Sequence, residues 1–162
     1  MIVFQLDQCV DSKRFARDCT SEGLCQTLRL SSSLRNAEDP ELLSSLMAGT
    51  HPLVTFDRAL PHDHTAYIPD LHPGILVVSN FPAPQTMTIR IAQQTLGRFK
   101  TAFPIWHQAG WNNSVVETTS LAVDVWHVEQ RQLVHDAYLS FDTLDWQTPL
   151  QTVLRQNSTR KS

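Results

Sequence analysis

Leu53-Val54-Thr55-Phe56-Asp57 is a short apolar run that stops abruptly at a carboxylate, and the polar stretch Arg58–Asp63 follows it. In an open α/β sheet, ligands bind just outside the carboxyl ends of the strands, so an acid at that position faces the expected site. The start of the chain repeats the arrangement, because Ile2-Val3-Phe4-Gln5-Leu6 runs directly into Asp7. Two strands that each end in Asp predict two carboxylates at one end of a sheet. Asp at such a place also ends strands and opens turns for purely local reasons.

Working outward, residues 2–6 read as a buried strand. Asp11 or Ser12 is suited to cap a helix that runs to about Glu22, with Phe15, Ala16 and Cys19 on one face and Gly23 as its stop. Leu24–Leu30 reads as a second strand, broken by Ser31-Ser32-Ser33. Asp39-Pro40-Glu41 is a helix start, with Asp39 as the capping acid and Pro40 at the first helical position; the helix ends at Gly49. A third strand covers Pro52–Phe56. The segment Arg58–Pro73 reads as a loop, and Gly74–Val78 as a fourth strand closed by Ser79-Asn80, Pro82 and Pro84. Ile89, Ala92, Leu96, Phe99 and Phe103 recur at helical spacing before Pro104. Beyond them, Leu121–Val128 and Leu133–Phe141 flank Glu129-Gln130-Arg131-Gln132 and predict a hairpin. The fold class expected is therefore α/β, a mainly parallel sheet flanked by helices with an edge or appended β-unit.

Composition narrows the function classes. The 162 residues carry 41% hydrophobic content and a net charge of −3, which fits one domain with a real core and no global basic footprint. Residues 1–80 hold six Lys/Arg against ten Asp/Glu, and residues 81–162 seven against six. The acids therefore gather where the strand-end Asp residues lie, and a cation is needed before phosphate approaches. Cys9, Cys19 and Cys25 form no CxxC pair, and no run reaches transmembrane length. A reducing, cytoplasmic setting away from the membrane is expected.

Asp7 and Asp57 are the leading candidate pair. Two or three oxygen ligands with open water positions suit Mg2+ or Mn2+. Asp39 is the third candidate, although its place before Pro40 also satisfies a helix cap. Asp63 is a further candidate, as a fourth carboxylate or a water-positioning group. His62, His64 and His72 read as a solvated loop in preference to a zinc cluster, because their spacing matches no standard ligand pattern. Cys9 lacks a cationic or histidine partner in the sequence and reads as a small structural thiol. Trp106, Trp111, Trp126 and Trp146 read as packing for the hairpin and its helix, with stacking on RNA bases as an alternative for one of them.

Taken together, Leu6-Asp7-Gln8, Asp39-Pro40-Glu41, Leu53-Val54-Thr55-Phe56-Asp57-Arg58 and Pro73-Gly74-Ile75-Leu76-Val77 resemble the PIN-like nuclease family, closest to its short bacterial toxin-type branch. Members typically read LLDEN at the first strand, an acidic helix start such as SDEEI, and LVTxDxDF at the third strand. The resemblance covers about residues 1–103. It implies a PIN-like three-layer fold over residues 1–104, with residues 105–155 as a C-terminal β-hairpin extension of the same domain and 156–162 as a polar tail. It further implies acids clustered around Mg2+ or Mn2+ and cleavage of RNA phosphodiesters, with Asp7, Asp39 and Asp57 as the metal acids. A cognate antitoxin protein is the implied partner beside RNA, and the aromatic content of the hairpin admits a homodimer. Gln8 and Cys9 stand where the Glu-Asn pair is usual, and Ala59 replaces the second acid of the third-strand motif. Those departures leave open a catalytically impaired module that binds an antitoxin or RNA, and a DNA-directed nuclease of the same fold.

Overall fold

A computed structural model describes residues 2–10, 13–79, 88–102, 111–119 and 122–140. The expected cap at Asp11 or Ser12, the closure by Pro82 and Pro84, Phe103, Trp106, Trp146 and the tail 156–162 lie outside the described residues. Seven strands form one sheet: β1 Val3–Leu6, β2 Gln26–Leu28, β3 Leu53–Thr55, β4 Ile75–Val78, β5 Val115–Thr118, β6 Ala122–Glu129 and β7 Gln132–Ser140. Four helices alternate with the early strands: α1 Lys13–Ser21, α2 Asp39–Met47, α3 Ala59–Asp63 and α4 Ile89–Ala102. The strand order is β2-β1-β3-β4-β5-β6-β7. The four pairings from β2 through β5 are parallel, and β5-β6 and β6-β7 are antiparallel. The architecture is α/β, with a mostly parallel sheet.

Parallel strands covered on both faces read as continuous apolar runs. That is how Leu53–Thr55 and Ile75–Val78 are recognisable, and every residue of both is buried. One apolar cluster joins Phe4, Leu6, Val54, Leu76, Val78 and Val116 to Phe15 and Cys19 of α1 and to Ala92 and Leu96 of α4. The other joins Leu53, Ile75, Val77 and Val115 to Leu42, Leu43 and Met47 of α2 and Leu60 of α3. Helices thus cover both faces. Each fully buried Leu on these faces contributes roughly 1.5–3 kcal/mol over an exposed one.

Three local expectations are corrected. Glu38, not Asp39, takes the cap position of α2: its backbone is extended, its carbonyl accepts the Leu42 N–H at 2.9 Å, and its side chain makes no capping bond. Asp39 and Pro40 are consequently inside the first turn. The loop expected over Arg58–Pro73 contains α3 and a 3-10 turn, Thr65–Tyr67; Asp57 Oδ1 accepts the Ala59 N–H at the start of α3, and Leu60 is an apolar anchor. β5 was not expected, and it is the strand that makes the hairpin part of the main sheet, since it pairs with β4 on one side and β6 on the other. The hairpin itself turns through Gln130 and Arg131, both at positive φ (51° and 62°), which is the mirror-type two-residue turn that matches strand twist.

Candidate functional site

The sheet order reverses direction between β1 and β3, and ligands of doubly wound sheets bind outside the carboxyl ends at such a point. Asp7 stands there, one residue past β1, with its N–H bonded to the Val54 carbonyl at 3.0 Å so that it continues the ladder to β3. Three donors engage its carboxylate. Oδ1 accepts the Gln8 N–H at 2.7 Å, and Oδ2 accepts the Thr55 hydroxyl at 2.5 Å and the Cys9 thiol at 3.4 Å. Asp7 is only 5% exposed. Burial pushes its carboxyl above the ordinary carboxylate range; the bonds from Thr55, Gln8 and Cys9 pull the other way, and the negative charge of Asp39 adds to the rise. Asp39 is therefore within electrostatic reach of Asp7.

Gln8 helps bring α2 to this place. Its side-chain amide donates to the Leu34 and Ala37 carbonyls at 3.2 and 3.0 Å, which ties the approach to α2 onto the end of β1. Asp39 is about half exposed, with His64 Nε2 at 3.7 Å from its Oδ2. Cys9 Sγ accepts the Phe56 N–H at 3.3 Å and lies 3.4 Å from Thr55 Oγ1, so the sulfur is turned inward although the residue is exposed overall. Burial, followed by the charge of Asp7, pushes the thiol up to about 11, which leaves it protonated and inert at neutral pH.

Asp57 and Asp63 have different surroundings. Asp57 is exposed; its N–H bonds Thr55 Oγ1 at 3.0 Å and its Oδ1 accepts the Ala59 N–H at 3.0 Å, which starts α3. Asp63 ends α3 in solvent, and among the described residues its carboxylate has no bond or ion pair to Asp7, Asp39 or Asp57. No three His, Cys, Asp or Glu side chains among the described residues are grouped closely enough to hold a metal ion. The three histidines disperse as well. His64 faces Asp39, His62 faces Glu117 at 3.8 Å, and His72 is buried at the opposite end of the sheet. There His72 Nδ1 accepts the Gly74 N–H at 3.1 Å, and burial pushes its pKa down to about 4. A cleft of about 650 Å³ lined by Met47, Gly49, His72, Pro73 and Asn113 is at that opposite end, away from Asp7.

Sequence reasoning missed Glu117. It is on β5, only 3% exposed, and both its oxygens are 2.9 Å from Arg58 Nε. Register places Thr55 beside Val77, Val77 beside Glu117 and Glu117 beside Asp124, so these share a face, and Asp7 continues the row past Leu6–Val54. Three strand spacings of about 4.8 Å put Glu117 roughly 14 Å from Asp7, too far to share one ion with it. A buried acid in a run of Val and Thr was the available signal, since Glu is rarely buried unless paired.

No protein-family model, curated protein or solved structure matches the chain.

Proposed function

We propose that the carboxyl edge of β1 and β3 is the site of a Mg2+- or Mn2+-dependent endoribonuclease of PIN-like type, hydrolysing RNA phosphodiesters, with a cytoplasmic toxin of a toxin–antitoxin pair as its natural setting. The observation that carries the proposal is the buried Asp7 at the β1/β3 reversal, its carboxyl raised by burial and, to a smaller extent, by the charge of Asp39. A buried acid whose charge is raised in energy by both desolvation and a second acid is the arrangement a bound cation relieves. The donor set fits in kind. Asp7 and Asp39 offer only oxygen, and Mg2+ needs no more than one or two carboxylates beside water and substrate phosphate.

Asp7 and Asp39 would hold the cation, and Asp57, exposed at the neighbouring strand end, would face the substrate side. Once bound, the cation supplies polarisation of the phosphodiester and activation of water at neutral pH. The Thr55 hydroxyl and the Gln8 N–H fix the orientation of the Asp7 carboxylate. Gln8 also holds the α2 approach through its two carbonyl bonds.

A second reading, a binding module for RNA or an antitoxin without catalysis, is favoured by the bond that Asp57 Oδ1 accepts from the Ala59 N–H and by the exposure of Asp63. Calorimetric titration with Mn2+ separates the two. The nuclease reading expects binding by the native chain that Asp7→Asn and Asp39→Asn abolish with the fold intact by circular dichroism, followed by metal-dependent RNA cleavage. Absence of Mn2+ binding by the native chain sinks it and leaves the module.

A further inference from the structure

The outer half of the sheet carries a second group of side chains on the face that holds Asp7. Register puts Glu117, Asp124 and Tyr138 in one row, and Trp126 and His135 in the adjacent row. Arg58 is anchored by the buried Glu117 through Nε, yet its side chain stays 45% exposed. From there rings follow one another outward. His62 meets Trp126 edge-to-face at 5.1 Å, and Trp126 meets His135 at 5.3 Å. His135 is itself fixed by Asp124 at 2.9 Å and remains 46% exposed. Tyr138, at 62% exposure, is the most exposed large apolar residue among those described.

Two properties of this face select its occupant. Glu117 is paired with Arg58, and Asp124 is hydrogen-bonded to His135 at 2.9 Å. Trp126 and His135 are held by neighbouring rings and by Asp124 before any ligand arrives, Tyr138 projects into solvent beside them, and every base has a π-face that such rings accept regardless of sequence. Arg58, adjacent to Asp57 in the chain and bonded to Glu117 of β5, lies between the Asp7 edge and the rings.

We propose that this face is a binding subsite for single-stranded RNA, with Arg58 taking a backbone phosphate and with His135, backed by Trp126, and Tyr138 stacking unpaired bases. It deepens the nuclease reading and rests on it for the nature of the ligand. A duplex keeps its bases stacked on one another and offers these rings nothing to stack on.

The test is fluorescence anisotropy of the full chain with a short fluorescein-labelled oligouridylate in EDTA, against the same strand paired to oligoadenylate. Tyr138→Ala and His135→Ala should each weaken single-strand binding about fivefold or more, the low end for one base–aromatic stack. Arg58→Ala should reduce the slope of log affinity on log salt by about 0.7, the share of one phosphate on a single strand. Both ring positions are solvent-exposed, so their loss of binding is readable with the fold intact. Unchanged affinity in Tyr138→Ala and His135→Ala, or equal affinity for the duplex, overturns the subsite. So does absence of single-strand binding by the native chain. In each of those cases Mn2+ calorimetry reports separately whether the Asp7–Asp39 site stands.

Discussion

Replacing Arg58 by Ala strands Glu117. The carboxylate is 3% exposed with both oxygens 2.9 Å from Arg58 Nε, whereas the Arg58 side chain is 45% exposed. Breaking a wholly buried pair costs about 3–5 kcal/mol because the remaining charge is left without compensation. Breaking an exposed pair costs about 0–1 kcal/mol. This pair is buried on the acid side and open on the cation side, so a loss of about 2–3 kcal/mol is expected. His62 is 3.8 Å from Oε2, beyond hydrogen-bond distance, and does not replace the guanidinium. For a domain of this size that loss lowers Tm by about 4–12 °C. The control is Glu117→Gln in the Arg58→Ala background: with the stranded charge removed, stability should return to within about 1 kcal/mol of native. Urea unfolding of the native chain, both single variants and the double variant supplies the cycle. A loss below about 0.5 kcal/mol for Arg58→Ala, or a double variant no more stable than Arg58→Ala alone, refutes the assignment of Glu117 as a charge held by Arg58.

Other expectations follow from the same geometry. The folded pKa of Asp7 is raised above its unfolded value near 3.9, so its contribution to stability is complete below that value and lost as pH rises through the folded pKa. Between those two values native stability should fall with rising pH, and Asp7→Asn should flatten that segment in denaturant titrations; an unchanged profile removes Asp7 as its source. With its pKa at about 11 instead of 9.0, Cys9 holds about a hundredfold less thiolate at neutral pH, and iodoacetamide should modify it correspondingly slowly in Cys19→Ala/Cys25→Ala protein, whereas reaction at the rate of a free thiol contradicts its enclosure by Asp7 and Thr55. Gly74 has φ of +113°, and an added Cβ would lie 2.3 Å from the Trp111 carbonyl oxygen, so Gly74→Ala should cost about 3 kcal/mol or more by urea unfolding; near-native stability would contradict that close approach. Arg131→Gly, at φ of 62° in the β6–β7 turn, should instead stabilise by about 0.5–1 kcal/mol, and destabilisation would show that the Arg131 side chain matters more than its backbone.

The strands β1, β3 and β4 were legible because each is short, apolar and bounded by a turn-forming residue. Their order was not, since nothing local in Leu53–Thr55 or Gln26–Leu28 says that β1 pairs with both. β5 escaped notice because Glu117 interrupts its apolar pattern, and the partner that makes a buried Glu tolerable is 59 residues away at Arg58. The helix α3 escaped notice because Pro61 and the polar His62-Asp63 read as loop, whereas it is held by the bond from the Ala59 N–H to Asp57 Oδ1 and by Leu60, buried in one cluster with residues of α2 and β3.

Asp7 and Asp57 show where strand-end reasoning stops. Both follow an apolar strand by the same pattern, and their strands are parallel neighbours as that pattern required. What separates them is the next three residues. After Asp7, Gln8-Cys9-Val10 form a 3-10 turn that buries Val10 and turns an N–H and a thiol onto the carboxylate, so the acid is enclosed. After Asp57, Arg58-Ala59-Leu60 enter α3, and the carboxylate is drawn outward to the Ala59 N–H to start it. Ala59 supplies an amide that engages the Asp57 carboxylate, and the buried acid Glu117, paired with Arg58, stands three strands away from Asp7. Acidic character at the switch point is concentrated on Asp7 and Asp39, which is why those two, and not Asp57 or Asp63, are the substitutions on which metal binding should depend.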